Sequence, residues 1–163
     1  MVEIVGVSAI SLLVYFVMPL DGDLGEVLAG SIIVVGTVAL VPLSLRRARQ
    51  VLVSDQPLLV AAQSLFSIIS LLIVSFASVY YVLGTDHQGQ ISGVNTKIDS
   101  LYFTVTITST VGFGDITATG QGARVVVAGH MIINFVLLAV AVRVLSWALQ
   151  QRRDLGGVRS REH

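Results

Sequence analysis

Residues Thr110, Val111, Gly112, Phe113, Gly114 and Asp115 form one run in which two glycines alternate with two bulky residues. Glycine adopts backbone angles that other residues avoid, so such a run can turn successive carbonyls to one side. Carbonyl oxygens are hard ligands and suit hard cations. Several such strands around an axis would replace the water shell of a dehydrated cation. Val111 and Phe113 would then point away from the ion and pack behind the strand, with Asp115 closing the run at its outer end.

The elements around this run must hold it in an unusual place. The 163 residues are 54% hydrophobic and only 12% charged, with mean hydropathy +0.85. A soluble domain carries about 25% charged residues, so the composition is that of a membrane protein. Ten basic residues balance ten acidic ones, which gives no reason to expect a nucleic-acid partner. There is no cysteine for a disulfide or thiolate site, and His87, His130 and His163 are scattered.

Four apolar stretches read as membrane crossings. The first, residues 4–20, matches the shortest spanning helix. It follows Glu3 rather than a basic segment and has no small-residue cleavage site, so it reads as a retained helix and not a signal peptide. The second, 24–45, contains Gly30, Ser31, Gly36 and Thr37, which allow close helix approach, and Pro42 near its end. The third, with the outer helix placed at 57–83, starts from Ser54 or Asp55 as cap and Pro57 in its first turn. Its Ser64, Ser67, Ser70, Ser75 and Ser78 make a small polar stripe suited to packing on another helix. The fourth is the inner helix, 122–149.

Between the last two lies a half-length helix, 98–109. At 1.5 Å per residue it covers about 18 Å, little more than half of a hydrocarbon core of about 30 Å. A half-crossing helix followed by extended backbone cannot face lipid, so protein or a water-filled cavity must enclose it. Orientation follows from Arg46, Arg47 and Arg49, and from Arg152, Arg153, Arg159 and Arg161. Asp21, Asp23, Glu26, Asp86 and Asp99 fall on the other side. The positive-inside rule then places both termini in the cytoplasm of a plasma-membrane protein and residues 110–115 on the outer face.

With these lengths around it, the run resembles the TVGYG selectivity filter of potassium channels, with Phe113 in place of tyrosine. The resemblance covers residues 58–149 and is to a two-transmembrane pore domain; residues 1–50 would add two further helices and a basic loop, and 151–163 a short cytoplasmic tail, disordered or lipid-facing over 154–163. It implies an all-α membrane protein with four transmembrane helices, a re-entrant pore helix and a filter loop, assembled as a homotetramer among membrane lipids, some anionic. The carbonyls of Thr110, Val111, Gly112 and Phe113, with the Thr110 hydroxyl, would be the K+ ligands. Gly114, Asp115, Tyr102, Phe103 and Thr106 would support them. Conduction would be passive, with no organic cofactor and no enzymatic step.

Several positions depart from the family pattern. Phe113 lacks the tyrosine hydroxyl that bonds to the surrounding aromatic cuff, so ring packing with Tyr102 and Phe103 is expected to replace it. Some members pair a pore-helix glutamate with the filter aspartate; Thr106 stands there, leaving Asp115 to find another partner or to face water. Asn134 occupies the usual hinge glycine's place, and either bonds across helices or satisfies itself on its own helix or cavity water. Phe135, Leu138 and Val142 would share its face, with Leu138 and Val142 as candidate gate. Arg143 either snorkels to lipid phosphate or sets a charge at the pore mouth, paired with Asp154 of a neighbour. His130 reads as a packed neutral imidazole rather than a pH sensor, and Arg46, Arg47 and Arg49 as an orientation anchor rather than a voltage sensor. The 84–97 loop reads as a mobile outer turret. Three rivals stay open: a weakly selective cation channel of the same fold, a transporter subunit and a non-conducting membrane scaffold.

Overall fold

The computed structural model describes residues 2–17, 20, 57–87 and 89–159. Among them the order is α1 (Val2–Val17), α2 (Pro57–Thr85), β1 (Ile91–Ser92), α3 (Lys97–Thr108), β2 (Thr117–Ala118) and α4 (Gln121–Arg159). The second apolar stretch, the basic loop after it and the Ser54/Asp55 cap lie outside the described residues.

Two described helices are long and apolar enough to cross a membrane, through Ala62–Thr85 of α2 and Gln121–Val144 of α4. Of the first apolar stretch, the described part is helical over Val2–Val17; residues 18 and 19 lie outside the described residues.

Four of the five α2 serines behave as the stripe expected, and Ser70 is only half-buried, donating to the Phe66 carbonyl. Ser64, Ser67, Ser75 and Ser78 are buried. Ser67, Ser75 and Ser78 donate to the carbonyls of Gln63, Leu71 and Val74, four residues back. These three hydroxyls are thus satisfied within their own helix, so their burial leaves no unpaired polar group.

The core gathers around α2. Leu72, Phe76 and Tyr80 meet Phe103 and Ile107 of α3, Ile91, Val94 and Ile116 of the connecting segments, and Ala123 of α4. A second cluster joins Tyr15 and Leu20 to Val74, Ala77 and Val82. Here α1 is clipped to the start of α3. The Tyr15 hydroxyl donates to the Lys97 carbonyl at 2.7 Å and lies 2.6 Å from Ser100 Oγ. In return Lys97 Nζ donates to the carbonyls of Tyr15 and Phe16, a cation placed on the negative end of a helix.

α3 begins one residue earlier than expected because Thr96 caps it. The Thr96 side chain accepts from the Asp99 amide, and the Asp99 carboxylate accepts from the Thr96 amide, a reciprocal capping box. α4 also differs: it runs through Arg159 rather than ending at 149. Residues 149–153 (Leu, Gln, Gln, Arg, Arg) are all good helix formers with no proline among them.

The described residues of the 84–97 loop are pinned, where a mobile turret was expected. β1 pairs antiparallel with β2, Ile91 opposite Ala118. The Gln90 carbonyl accepts from the amides of Thr119 and Gly120, and Gln90 Oε1 accepts from the Ala123 amide at the start of α4. Val94 seats against Gly84 so closely that a Cβ on the glycine would stand 2.6 Å from Val94 Cβ. This short ribbon is the one addition to an otherwise helical architecture among the described residues.

Candidate functional site

α3 ends at Thr108 with its last carbonyls aimed at the segment that follows, and that segment folds back to meet them. The amides of Val111 and Gly112 both donate to the Thr106 carbonyl, and the Thr110 amide donates to the Ile107 carbonyl. Orphan acceptors at a helix end are thereby used to fix the start of the 110–115 run.

The run alternates in backbone handedness. Thr110, Gly112 and Gly114 have φ of 61°, 54° and 83°, while Val111 and Phe113 do not have positive φ. In a strand of uniform sign, successive residues face opposite ways. Alternating the sign cancels that alternation, and a backbone of this kind can turn consecutive carbonyls to one side. Within the single chain the glycines matter by conformation rather than by space: a Cβ at Gly112 or Gly114 would meet nothing within 4 Å. The positive φ of Thr110 was not foreseen. A β-branched residue at positive φ is a genuine outlier, and such strain clusters at functional sites.

Behind the run, Tyr102 supplies two contacts. Its ring stacks on Phe113, centroids 6.3 Å apart and planes within 5°. Its hydroxyl donates to Asp115 Oδ2 at 2.9 Å, and this bond raises the phenol's pKa above its ordinary value. Asp115 therefore has a partner within its own chain although Thr106 carries no carboxylate. The Thr106 hydroxyl turns back to the Phe103 carbonyl; its support of the run comes through its main-chain oxygen. Phe103 does not reach Phe113. It is buried, edge-on to Tyr80 at 5.0 Å, because its place on α3 faces the core. Val111 and Phe113 are exposed on the single chain.

Below the run opens a cavity of about 430 Å³ between the end of α3 and α4, lined by Thr106 to Thr110, Gly112, Met131, Asn134, Phe135 and Leu138. Three of the candidate cavity residues are there. Asn134 Nδ2 crosses to the Ile107 carbonyl at 3.3 Å, the cross-helix alternative. Val142 lies beyond the cavity and is exposed, as is Arg143; the Asp154 side chain lies outside the described residues. His130 is fully buried, held between Tyr80 and Thr108.

Residues 68–151, just over half of the chain, match a family described as Ion channel. The chain belongs to this ion-channel family. The matched part of the channel starts within α2 and contains α3, the 110–115 run and most of α4; α1 falls outside it. Membership makes ion conduction, not catalysis, the kind of work expected, and with two crossing helices it places the channel in a membrane. No solved structure matches the chain.

Sequence reasoning missed the Thr110 conformation, the Tyr102–Asp115 bond and the partners of His130. The last two were findable in principle. Tyr102 and Asp115 are 13 apart across a helix and a reversal, and a buried histidine facing a threonine-rich helix must find hydroxyl partners.

Proposed function

We propose that the chain is one subunit of a homotetrameric, potassium-selective channel of the plasma membrane. Four copies of the 110–115 run converge on one axis, and the carbonyls of Thr110, Val111, Gly112 and Phe113, with the Thr110 hydroxyl, strip and hold K+ as it passes. The observation that carries this reading is the alternation of φ at residues 110, 112 and 114, which a simple surface turn does not need.

Two further features support it. The α4 span is only 6% buried within the single chain, against 61% for the α2 span. A large exposed apolar face marks an interaction site with protein or lipid. The 430 Å³ cavity sits at the C-terminal, partly negative end of α3, where a hydrated cation is stabilised. Asp115 then concentrates cations at the outer mouth, and Phe135 and Leu138 narrow the inner one, with Val142 as a second gate position. In this reading residues 4–20 and 24–45 add two more crossings, both termini are cytoplasmic, and anionic lipids meet Arg143 and the basic loops.

The test is reconstitution of the purified chain in liposomes, with reversal potentials under mixed K+ and Na+ and native mass spectrometry of the assembly. The expected result is a tetramer that prefers K+. Equal permeability removes selectivity and leaves the weakly selective channel; a monomer without flux overturns the proposal.

A further inference from the structure

His130 and Asn134 stand one helical turn apart on α4, and both reach the last two residues of α3. Asn134 donates to the Ile107 carbonyl, and His130 Nε2 lies 3.2 Å from Thr108 Oγ1. On the other side His130 Nδ1 lies 3.0 Å from the Tyr80 hydroxyl of α2. The imidazole is fully buried and stacks on Phe76, centroids 3.8 Å apart and planes within 4°. One side chain thus ties α2, α3 and α4 together two residues before Thr110.

The direction of every proton in this chain can be assigned. The Thr108 hydroxyl donates to the Thr104 carbonyl at 2.8 Å. Having spent its proton, Thr108 Oγ1 can only accept from the imidazole, so Nε2 carries the hydrogen. Nδ1 is then an acceptor, and Tyr80 donates to it. The relay runs from Tyr80 to His130 to Thr108 to Thr104 with no group unsatisfied. Reversing any member leaves a buried donor facing a donor, which is costly at low local dielectric.

We propose that His130, seconded by Asn134, is a positioning residue for conduction: it locks the final turn of α3 to α4 and so fixes the inner end of the 110–115 run. The lock makes the strained Thr110 conformation sustainable, because the helix end from which the run departs cannot rotate. It also makes α4 the element whose movement is felt at the first carbonyls. This inference rests on the reading of 110–115 as the ion-selective segment.

The experiment compares wild type with His130→Phe, His130→Gln, Thr108→Val and Thr108→Ser in liposomes, reading the K+/Na+ permeability ratio beside the assembly's thermal stability. His130→Phe keeps the stack on Phe76 and loses both nitrogens; Thr108→Val keeps shape and loses the acceptor. Each should lower the ratio by about fivefold or more, the effect of one buried partner left unmade. The double variant should be no worse than either single change, since the two remove one link. Thr108→Ser and His130→Gln, which put back the acceptor and an amide donor, should restore the ratio. Imidazole ¹⁵N spectra of the wild type should show hydrogen on Nε2. Wild-type ratios in both His130→Phe and Thr108→Val, or hydrogen on Nδ1, overturn the proposal. If His130→Phe fails to assemble, Thr108→Val, a change of a few atoms, decides alone. A wild type that does not distinguish K+ from Na+ sinks the selectivity reading itself, and this inference with it.

Discussion

Replacing Gly112 by alanine of either hand separates conformation from space. Gly112 has φ of 54°, and a Cβ built there meets nothing within 4 Å. An L-residue held in the left-handed region costs about 1–2 kcal/mol, and a ring of four such residues about 4–8 kcal/mol. The alternative is to flip to negative φ, which swings one carbonyl off the axis proposed above. D-alanine adds the same methyl group but favours positive φ by mirror symmetry, so it bears neither cost. Both variants reduce unfolded-chain freedom equally, by about 0.4–1 kcal/mol, so that term cancels between them. Semisynthetic protein of each kind, reconstituted and assayed for K+ flux and K+/Na+ permeability, should divide cleanly. We expect L-alanine to reduce flux at least tenfold or to abolish selectivity, with D-alanine close to wild type and both assemblies intact. Equal loss in both would mean that the methyl group obstructs the path and that φ is irrelevant. Full activity in both would mean that the 110–115 backbone is not what ions meet.

Other outcomes follow from the same geometry. Thr110→Gly releases a β-branched residue from φ of 61° and should raise unfolding stability by about 1 kcal/mol per chain, measured by denaturant titration; a fall in stability would refute the strain. Thr96→Ala removes the α3 cap and should cost about 1 kcal/mol in the same assay. Asp99 is held below its ordinary 3.8, first by the Asn95 amide and then by Thr96. Its contribution is therefore present above pH 3.8 and lost as pH falls through the lowered value, so the acid limb of a stability–pH curve should flatten in Asp99→Asn. Tyr102 is raised above 10.0, mainly by its bond to Asp115. That bond's contribution is present below pH 10.0 and lost as pH rises through the raised value. Ultraviolet titration, differenced against Tyr102→Phe, should show the phenol ionising at lower pH in Asp115→Asn.

What the sequence disclosed and what it hid divide along a physical line. Features fixed by local composition were legible: the half-length helix, the two long apolar helices around it, the serine stripe and the two glycines at the point where handedness alternates. Features that depend on partners distant in the chain were not. Nothing in the spelling of Phe103 says that it faces Tyr80 while its neighbour Tyr102 takes Phe113; a rotation of about 100° per residue along α3 decides it. The pinned 84–97 loop was hidden for a similar reason, since its polar, glycine-containing stretch disguises Ile91 and Val94, which are buried. The end of α4 was misjudged because apolarity was used to end the helix, whereas helix propensity continues through residues 149–153.

The strain and the unburied surface belong to one argument. A single chain holds a β-branched residue and two glycines at positive φ in a loop whose outward face meets nothing of its own. It supports them from behind only, through Tyr102, the Thr106 carbonyl and the His130 relay. Strained backbone persists where its surroundings over-determine it, and here half of those surroundings are missing from the single chain. The same chain leaves Phe135, Val136 and Leu138 of α4 more than half exposed, on the helix that carries the relay. An assembly in which neighbouring copies cover α4 and face one another across the 110–115 run answers both deficits at once. Lipid covering α4 would answer only the second, because it cannot enclose bare carbonyls. The conformation of residues 110–115 therefore favours a protein neighbour over a lipid one, and the closed ring proposed above is the simplest arrangement that would supply it.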